Sequence, residues 1–502
     1  MEEKKSVVIG AGIGGLASAI RMAAKGYTVS IYEQSAKTGG KISEFRHKGF
    51  RFDRGPSLLT MPALIDELFT LCGENPKTRF KYQKLELSCK YFWEDGSIIC
   101  AWQDTEKFAE EISYQSGVSR ERLEGFFRKS RQLYELTSES FLFNSLHKAE
   151  NFKTKAFLKT MLNSFRLDPF VTMNERNRRW FRDKRITQLF NRYATYNGSN
   201  PYKTPATLNI IAHLEHSLGT FFPEKGIYSI VKALTGLAER QGIEINLNTR
   251  VNEIIHANGR VKGIRAGKRF IPADIVVNNT DVNLLYNELM PSEKTPPGLL
   301  KNERSTSALI FYWGVNTSNP QLELHNILFS SDYPDEFKHL FDYKNITTDP
   351  TIYIFISSRA VKKDAPAGME NWYVMINAPE NIGQDWDNLI AEARINIIAK
   401  INRILGTDIE KHIMFEKISD PRTIEKETGS FRGSLYGISS NSMLSAFNRH
   451  ANFRKKYKNL FFTGGSVHPG GGIPLCLASA KIIDKEIEPS GTRGQDKDNI
   501  NR

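Results

Sequence analysis

The sequence predicts an α/β protein, α+β taken over the whole chain, with a Rossmann-type nucleotide domain interleaved with a mixed-sheet domain and a helical subdomain. Three observations predict it. An apolar strand runs into Gly10-x-Gly12-x-x-Gly15 and is followed by an Ala-rich helix, a second strand and Glu33. A second glycine-rich loop, Gly464-Gly465-Ser466-Val467-His468-Pro469-Gly470-Gly471-Gly472-Ile473-Pro474, opens a helix nearly the whole chain away. Between them, β-branched and aromatic strands flank a long stretch of helical periodicity.

The first unit meets each condition of a dinucleotide fingerprint. Val7 to Ile9 is the strand, Gly10 permits the tight turn, Gly12 lets backbone approach a pyrophosphate, and Gly15 lets the helix sit close to the strand. Gly14 stands in the same turn. The helix N-terminus offers free amides and partial positive charge to phosphates. Gly26 ends the helix and Val29 to Tyr32 is the second strand. Glu33, 21 residues after Gly12, is placed to take ribose hydroxyls and to disfavour a 2′-phosphate.

A second glycine pair, Gly39-Gly40-Lys41, and the run Phe52-Asp53-Arg54-Gly55-Pro56-Ser57 follow at short range. An NAD site has no need of them. A cofactor that uses these and the distant closing loop is longer than a nucleotide alone, which points to FAD. Lys41 faces the pyrophosphate, faces the ring, or simply ends a turn.

The remaining elements divide into interleaved parts. The FAD domain is expected at 1–75, 220–300 and 415–488, and the substrate-binding sheet at 76–105 and 301–414. A helical, membrane-facing subdomain is expected at 106–219, and a disordered polar tail at 489–502. Ile227 to Gln241 reads as helix and Ile243 to Val251 as one alternating strand. Val261–Arg265 and Lys268–Ile271 form a hairpin, and Asp274 to Asp281 is a buried strand with a polar end. Ala308–Val315, Thr351–Ser357, Trp372–Ile376 and Leu85–Trp93 supply the second sheet, and Leu389–Leu405 is an amphipathic helix.

At 502 residues the chain holds two or three domains. Its net charge of +13 calls for a negatively charged partner surface. No nucleic-acid recognition motif is present, so nucleic acid is not expected. Cys72, Cys89, Cys100 and Cys476 have neither CxxC nor metal spacing, so no metal is expected and a reduced compartment fits. The N-terminus has no signal-peptide pattern and no run of about 18 apolar residues occurs, so a peripheral, cytoplasmic protein is expected.

Taken together, Gly10-x-Gly12-x-x-Gly15, Gly39-Gly40-Lys41, Phe52-Asp53-x-Gly55-Pro56-Ser57 and Phe462 to Pro474 resemble the bacterial carotenoid desaturases. These are phytoene-desaturase relatives in the flavin amine-oxidase-like superfamily. Asn191 to Pro201 and Ala212 to His216 are most similar to 1-hydroxycarotenoid 3,4-desaturases. The resemblance implies that Gly10, Gly12, Gly15 and Glu33 hold the ADP half, with Val251 at the adenine and Asp281 near the pyrophosphate. It implies that Lys41, Gly55, Pro56 and Ser57 line the flavin, and that Gly465, Ser466, Gly472, Ile473 and Pro474 pack the ribityl chain and ring. Gly14 and Gly40 belong to the same set.

Such an enzyme transfers a hydride from an allylic C–H to flavin N5 and loses a neighbouring proton, giving a new C=C bond. The implied substrate is a long polyene and the electron acceptor is oxygen or a quinone. The alternatives are desaturation of phytoene or another acyclic carotene, flavin-dependent cis-trans isomerisation, and, off the enzyme class, a lipid carrier. His213, Glu215, His216 and His468 are the candidate proton acceptors, with His213 and His216 on one helix face; satisfied helix histidines are the competing reading. Phe311, Tyr312 and Trp313 offer aromatic faces to a cation, or are core.

A polyene must be drawn from a bilayer. His147 to Arg185 carries 11 Lys or Arg against 4 Asp or Glu, a net +7. Leu158, Met161, Leu162 and Phe165 fall at i, i+3, i+4 and i+7 beside Lys155, Lys159 and Arg166. That is the pattern of an in-plane helix on anionic lipid, on the inner face of the cell membrane, or of a core-facing helix with a solvated basic side.

Overall fold

The computed structural model describes residues 3–491. The first strand, Lys5–Ile9, is buried at Val7, Val8 and Ile9, as a strand covered by other elements on both faces must be. It lies within a six-stranded sheet in the order Phe453–Arg454, Tyr457–Phe462, Ile275–Asn278, Lys5–Ile9, Thr28–Tyr32 and Glu244–Asn246. All neighbours are parallel except the outer pair 453–454 and 457–462. The register brings Phe462, Asn278, Ile9, Tyr32 and Asn246 level across the sheet. The loops leaving these residues therefore share one edge, at the C-terminal ends of the strands, where open α/β sheets bind ligands.

Helices Ile13–Ala24, Tyr228–Arg240 and Ile473–Asp484 pack together on one face through Leu16, Ile20, Val231, Leu234, Leu477 and Ile483. On the other face lies a three-stranded antiparallel sheet, Val251–Ala257, Arg260–Ala266 and Arg269–Pro272. The expected single strand from Ile243 to Val251 is thus two strands in two sheets. The chain turns at Leu247 and Asn248, where Asn248 takes φ +51°, and alternation alone does not reveal such a break.

A seven-stranded mixed sheet follows the order 413–419, 307–315, 370–378, 352–356, 325–328, 87–92 and 98–102, with only the pair 325–328 and 87–92 parallel. Strand Ile413–Ser419 sits wholly in this sheet, across the expected boundary at 415. One face packs Phe311, Trp313, Trp372 and Ile354 on helix Trp386–Leu405. The opposite face carries Tyr312, Tyr373 and Phe355 into the core shared with the nucleotide domain. Of the expected aromatic trio, then, only Tyr312 looks towards the cofactor side; period-two alternation sends Phe311 and Trp313 away.

A buried ion network ties the parts. Asp53 accepts from the Ile227 and Tyr228 amides at 2.9 Å each, at the start of helix Tyr228–Arg240, and pairs with Arg51 at 2.6 Å. Arg51 also reaches Asp364 at 3.0 Å and Glu44 at 2.6 Å.

Residues 105–218 are helical, as expected. Helix Lys155–Leu162 buries only Thr160. Leu158, Met161, Leu162 and Phe165 are 52%, 54%, 79% and 73% exposed, and Phe170 is 85% exposed, so this face does not meet the core. Phe447, also exposed, reaches the same region through Phe141, which stacks on Phe157. No helix among the described residues is long and apolar enough to cross a membrane. Of the expected tail at 489–502, Ser490 is ordered against the fold: it is buried and donates to the Gly26 carbonyl at 2.8 Å. Residues 492–502 lie outside the described residues.

Candidate cofactor and substrate site

At the C-terminal edge of the six-stranded sheet, Gly10 takes φ +93° and turns the chain into helix Ile13–Ala24. A Cβ on Gly15 would lie 2.1 Å from the Gly10 carbonyl oxygen, so only glycine allows this helix to meet its strand. A Cβ on Gly14 would lie 2.6 Å from Asn279 Oδ1 and 3.0 Å from the Gly464 nitrogen. The two glycine-rich ends of the chain therefore touch, with Asn279 between them. Its Nδ2 donates to the Gly10 carbonyl at 3.4 Å, and its Oδ1 accepts from Thr463 Oγ at 3.3 Å. Gly39 donates to the Ala11 carbonyl at 2.9 Å, and a Cβ on Gly40 would lie 3.3 Å from Gly12 Cα.

Glu33 ends the second strand nearly buried. Its carboxylate accepts from the Ala11 amide and the Ser35 amide, each at 2.8 Å. The Thr249 amide donates to the Glu33 carbonyl at 2.8 Å, and Val251 lies buried two residues further on.

The loops continue away from the sheet. Gly55 (φ +98°) sits where a Cβ would lie 2.1 Å from the Lys41 carbonyl oxygen. Lys41 Nζ donates to the Leu435 carbonyl at 2.6 Å, and burial pushes its pKa down while Asp281 opposes that. Asp281 caps the turn at Asn283 (2.9 Å) and lies 3.5 Å from Arg304, and Ser466 Oγ accepts from the Val282 amide at 3.1 Å. Segment 434–437 lies on the closing loop, since a Cβ on Gly471 would lie 2.8 Å from Tyr436 Cα. Arg449, buried against Gly470, donates to the Tyr436 carbonyl (3.3 Å) and Ser440 Oγ (3.2 Å); burial, then the nearby Arg304, lower its pKa to about 10.

Ser57 Oγ lies 2.7 Å from Tyr353 OH, which lies 2.8 Å from His325 Nδ1. Lys41, Tyr196, Tyr353, Tyr436 and Cys476 are each only partly buried.

These residues fit FAD. Glycines at 12, 14 and 464 leave backbone bare beside the N-terminus of helix Ile13–Ala24, where a pyrophosphate would lie; Glu33 would take the ribose, and Lys41, Gly55–Ser57 and Gly465–Pro474 would hold the part beyond it.

The four titratable candidates separate. Glu215 is 2% exposed, accepts from Tyr193 OH at 3.1 Å and from Tyr196 OH, and lies 3.6 Å from Arg192. His216 Nε2 lies 2.6 Å from Tyr193 OH; because the tyrosine hydrogen goes to Glu215, the imidazole donates. Burial holds the His216 pKa at about 4. His213 and His216 share a face, as the spacing predicts, but that face is aromatic core: His213 on Tyr134 and His216 on Phe108 and Phe127. His468 sits in the closing loop, donates from Nε2 to the Asn144 carbonyl at 2.9 Å, and is held at about 3 by burial. Asn279, Arg304, Tyr436 and Arg449 were not anticipated. Only Asn279 left a trace in the sequence, as part of the polar end of its strand.

The family model for flavin containing amine oxidoreductases matches residues 13–482. The chain belongs to that family. It is an FAD-dependent oxidoreductase, as the paired loops predict. The 1-hydroxycarotenoid 3,4-desaturase of Flavobacterium sp. (strain P99-3) is 46% identical over 479 residues, 95% of this chain and 98% of that one. The phytoene desaturase of Fusarium fujikuroi is 31% identical over 514 residues, 97% of this chain and 89% of that one. Among solved structures, cyclohexylamine oxidase from Brevibacterium oxydans IH-35A superimposes with a TM-score of 0.60 at 13% identity, covering 97% of this chain and 99% of that one. That likeness is one of fold alone.

Proposed function

We propose that this flavoprotein is a carotenoid desaturase that places a C=C bond at C3–C4 of a 1-hydroxycarotenoid. The observation that carries the reading is the end-to-end identity with the Flavobacterium desaturase, 46% over 95% of the chain. Bound FAD supplies the hydride acceptor. The protein's part is to hold the polyene against it and exclude water. Tyr312, Tyr373 and Phe355 present rings on that side of the sheet, where a polyene cation gains from aromatic faces.

The three histidine candidates are not tuned as strong bases: burial lowers His213, and His216 and His468 titrate at about 4 and about 3. Glu215 accepts from Tyr193 and Tyr196 and lies 3.6 Å from Arg192. A polyene cation is itself a strong acid, so its proton needs only a weak acceptor. Oxygen or a quinone would take the two electrons from the cofactor.

The exposed apolar face at 158–170, on a segment of net charge +7, supports attachment to anionic lipid on the cytoplasmic face of the cell membrane. The four cysteines, free of disulfides, are consistent with that compartment.

The test is anaerobic incubation of FAD-loaded protein with liposomes holding a 1-hydroxycarotenoid or phytoene, following flavin bleaching and product mass together. Bleaching with loss of two hydrogens from the hydroxylated substrate is the expected result. Bleaching with phytoene alone moves the reaction to an earlier desaturation, and no bleaching with a rearranged product makes the protein an isomerase.

A further inference from the structure

A hydrocarbon-handling site has little use for buried charge, yet one lies at the end of the aromatic sheet face. Arg192 and Glu215 are 9% and 2% exposed. Arg192 donates to Tyr91 OH at 2.7 Å and packs its guanidinium on the rings of Tyr91, Tyr193 and Tyr196. A buried ion pair of this kind is weak evidence for stability, so its presence asks for another role.

Two atoms of the group lack partners. Arg192 Nε and His325 Nε2 are buried with no hydrogen bond. His325, 3% exposed, is stacked on Phe355 and joined through Tyr353 OH to Ser57, in the loop expected to line the flavin. Tyr91, which holds Arg192, stands level with Ile327 on one side, and Tyr353, which holds His325, stands level with Ile327 on the other, so the two unpartnered nitrogens belong to one neighbourhood of the sheet. Tyr196, which donates to Glu215, is only partly buried.

We propose that Arg192, Glu215, Tyr196 and the His325–Tyr353 pair form the seat of the substrate's hydroxyl group. An alcohol brings one acceptor and one donor. That is the complement of a guanidinium N–H and a free imidazole nitrogen. The position also suits the chemistry: the C1 hydroxyl is separated from C3 by one carbon, so whatever holds it must stand beside the reacting C–H bonds. The polar chain ends at Ser57, where the resemblance places the flavin. A substrate lacking the hydroxyl leaves both nitrogens desolvated and unpaired, and a site built for a hydroxyl rejects such an analogue strongly.

This inference rests on the 3,4-desaturase reading, and the experiment separates the two. FAD-loaded wild type, His325→Leu, Tyr353→Phe and Glu215→Gln are each given a 1-hydroxylated acyclic carotenoid or its 1-deoxy counterpart in liposomes. The readouts are kcat/KM for flavin bleaching with each substrate, and bound flavin per chain. The expected result is a wild-type preference for the hydroxylated substrate that falls at least about tenfold in the variants. A preference unchanged in every flavin-bearing variant, or both substrates slowed by one factor, overturns the assignment. Tyr353 touches Ser57, so if Tyr353→Phe loses flavin, His325→Leu and Glu215→Gln decide. A wild type that bleaches with neither substrate removes the desaturase reading and this seat with it.

Discussion

Glu33 Oε2 accepts the Ala11 amide hydrogen at 2.8 Å, so the acid after the second strand holds the glycine turn after the first. Its partner oxygen takes the Ser35 amide at 2.8 Å. Glu33→Ala removes both bonds and the ribose acceptor together. Hydrogen bonds to a charged group contribute about 2 kcal/mol each, so FAD affinity is expected to fall roughly thirtyfold or more. Fluorescence titration of the apoprotein with FAD measures it.

Asn279 stands between Gly10, Gly14 and Gly464. Asn279→Asp keeps the shape and sets a carboxylate where phosphates approach. Like-charge apposition costs several kcal/mol, so purified Asn279→Asp is expected to carry little flavin, whereas Asn279→Ala retains more. Flavin absorbance per chain tests the pair.

Four of the buried histidines give a defined acid sensitivity. His216 and His450 titrate at about 4, His325 and His468 at about 3, all lowered mainly by burial from 6.5. Each stays neutral in the fold and takes a proton on unfolding below 6.5. Stability is therefore flat above that pH and falls as pH drops from 6.5 towards 4, by about 1.4 kcal/mol per pH unit for each histidine. Glu44 and Glu67, lowered by their cationic partners, add a further loss only below 4.5. Urea midpoints across this range should show a shallower decline for His216→Gln than for wild type.

Leu162, Phe165 and Phe170 are 79%, 73% and 85% exposed. Replacing all three with Glu should abolish sedimentation with anionic liposomes and leave folding stability within about 0.5 kcal/mol per site. Wild-type sedimentation should weaken as salt rises.

What was legible in the sequence was what carries a local rule. The glycines at 10, 12 and 15, the acid at 33 and the closing loop each answer to a steric or phosphate constraint within a few residues. The break at Leu247–Asn248 was hidden because its two strands have the same alternation and differ only in their distant partners. The faces of Phe311 and Trp313 were hidden for a similar reason: nine consecutive residues of Ser307–Val315 are buried, so no polar side marks the inside. Arg192, Tyr353 and His325 come from three separate regions, and only the packing of the helical part on the sheet unites them.

The mid-strands of the cofactor sheet are Lys5–Ile9, Ile275–Asn278 and Tyr457–Phe462, paired side by side. A chain emerging from the ribosome N-terminus first shows its opening glycine turn early, but the wall that completes the cradle is among the last segments made. Flavin uptake consequently reports that the closing loop has been made, and nonsense or frameshift products cut before it are expected to remain colourless.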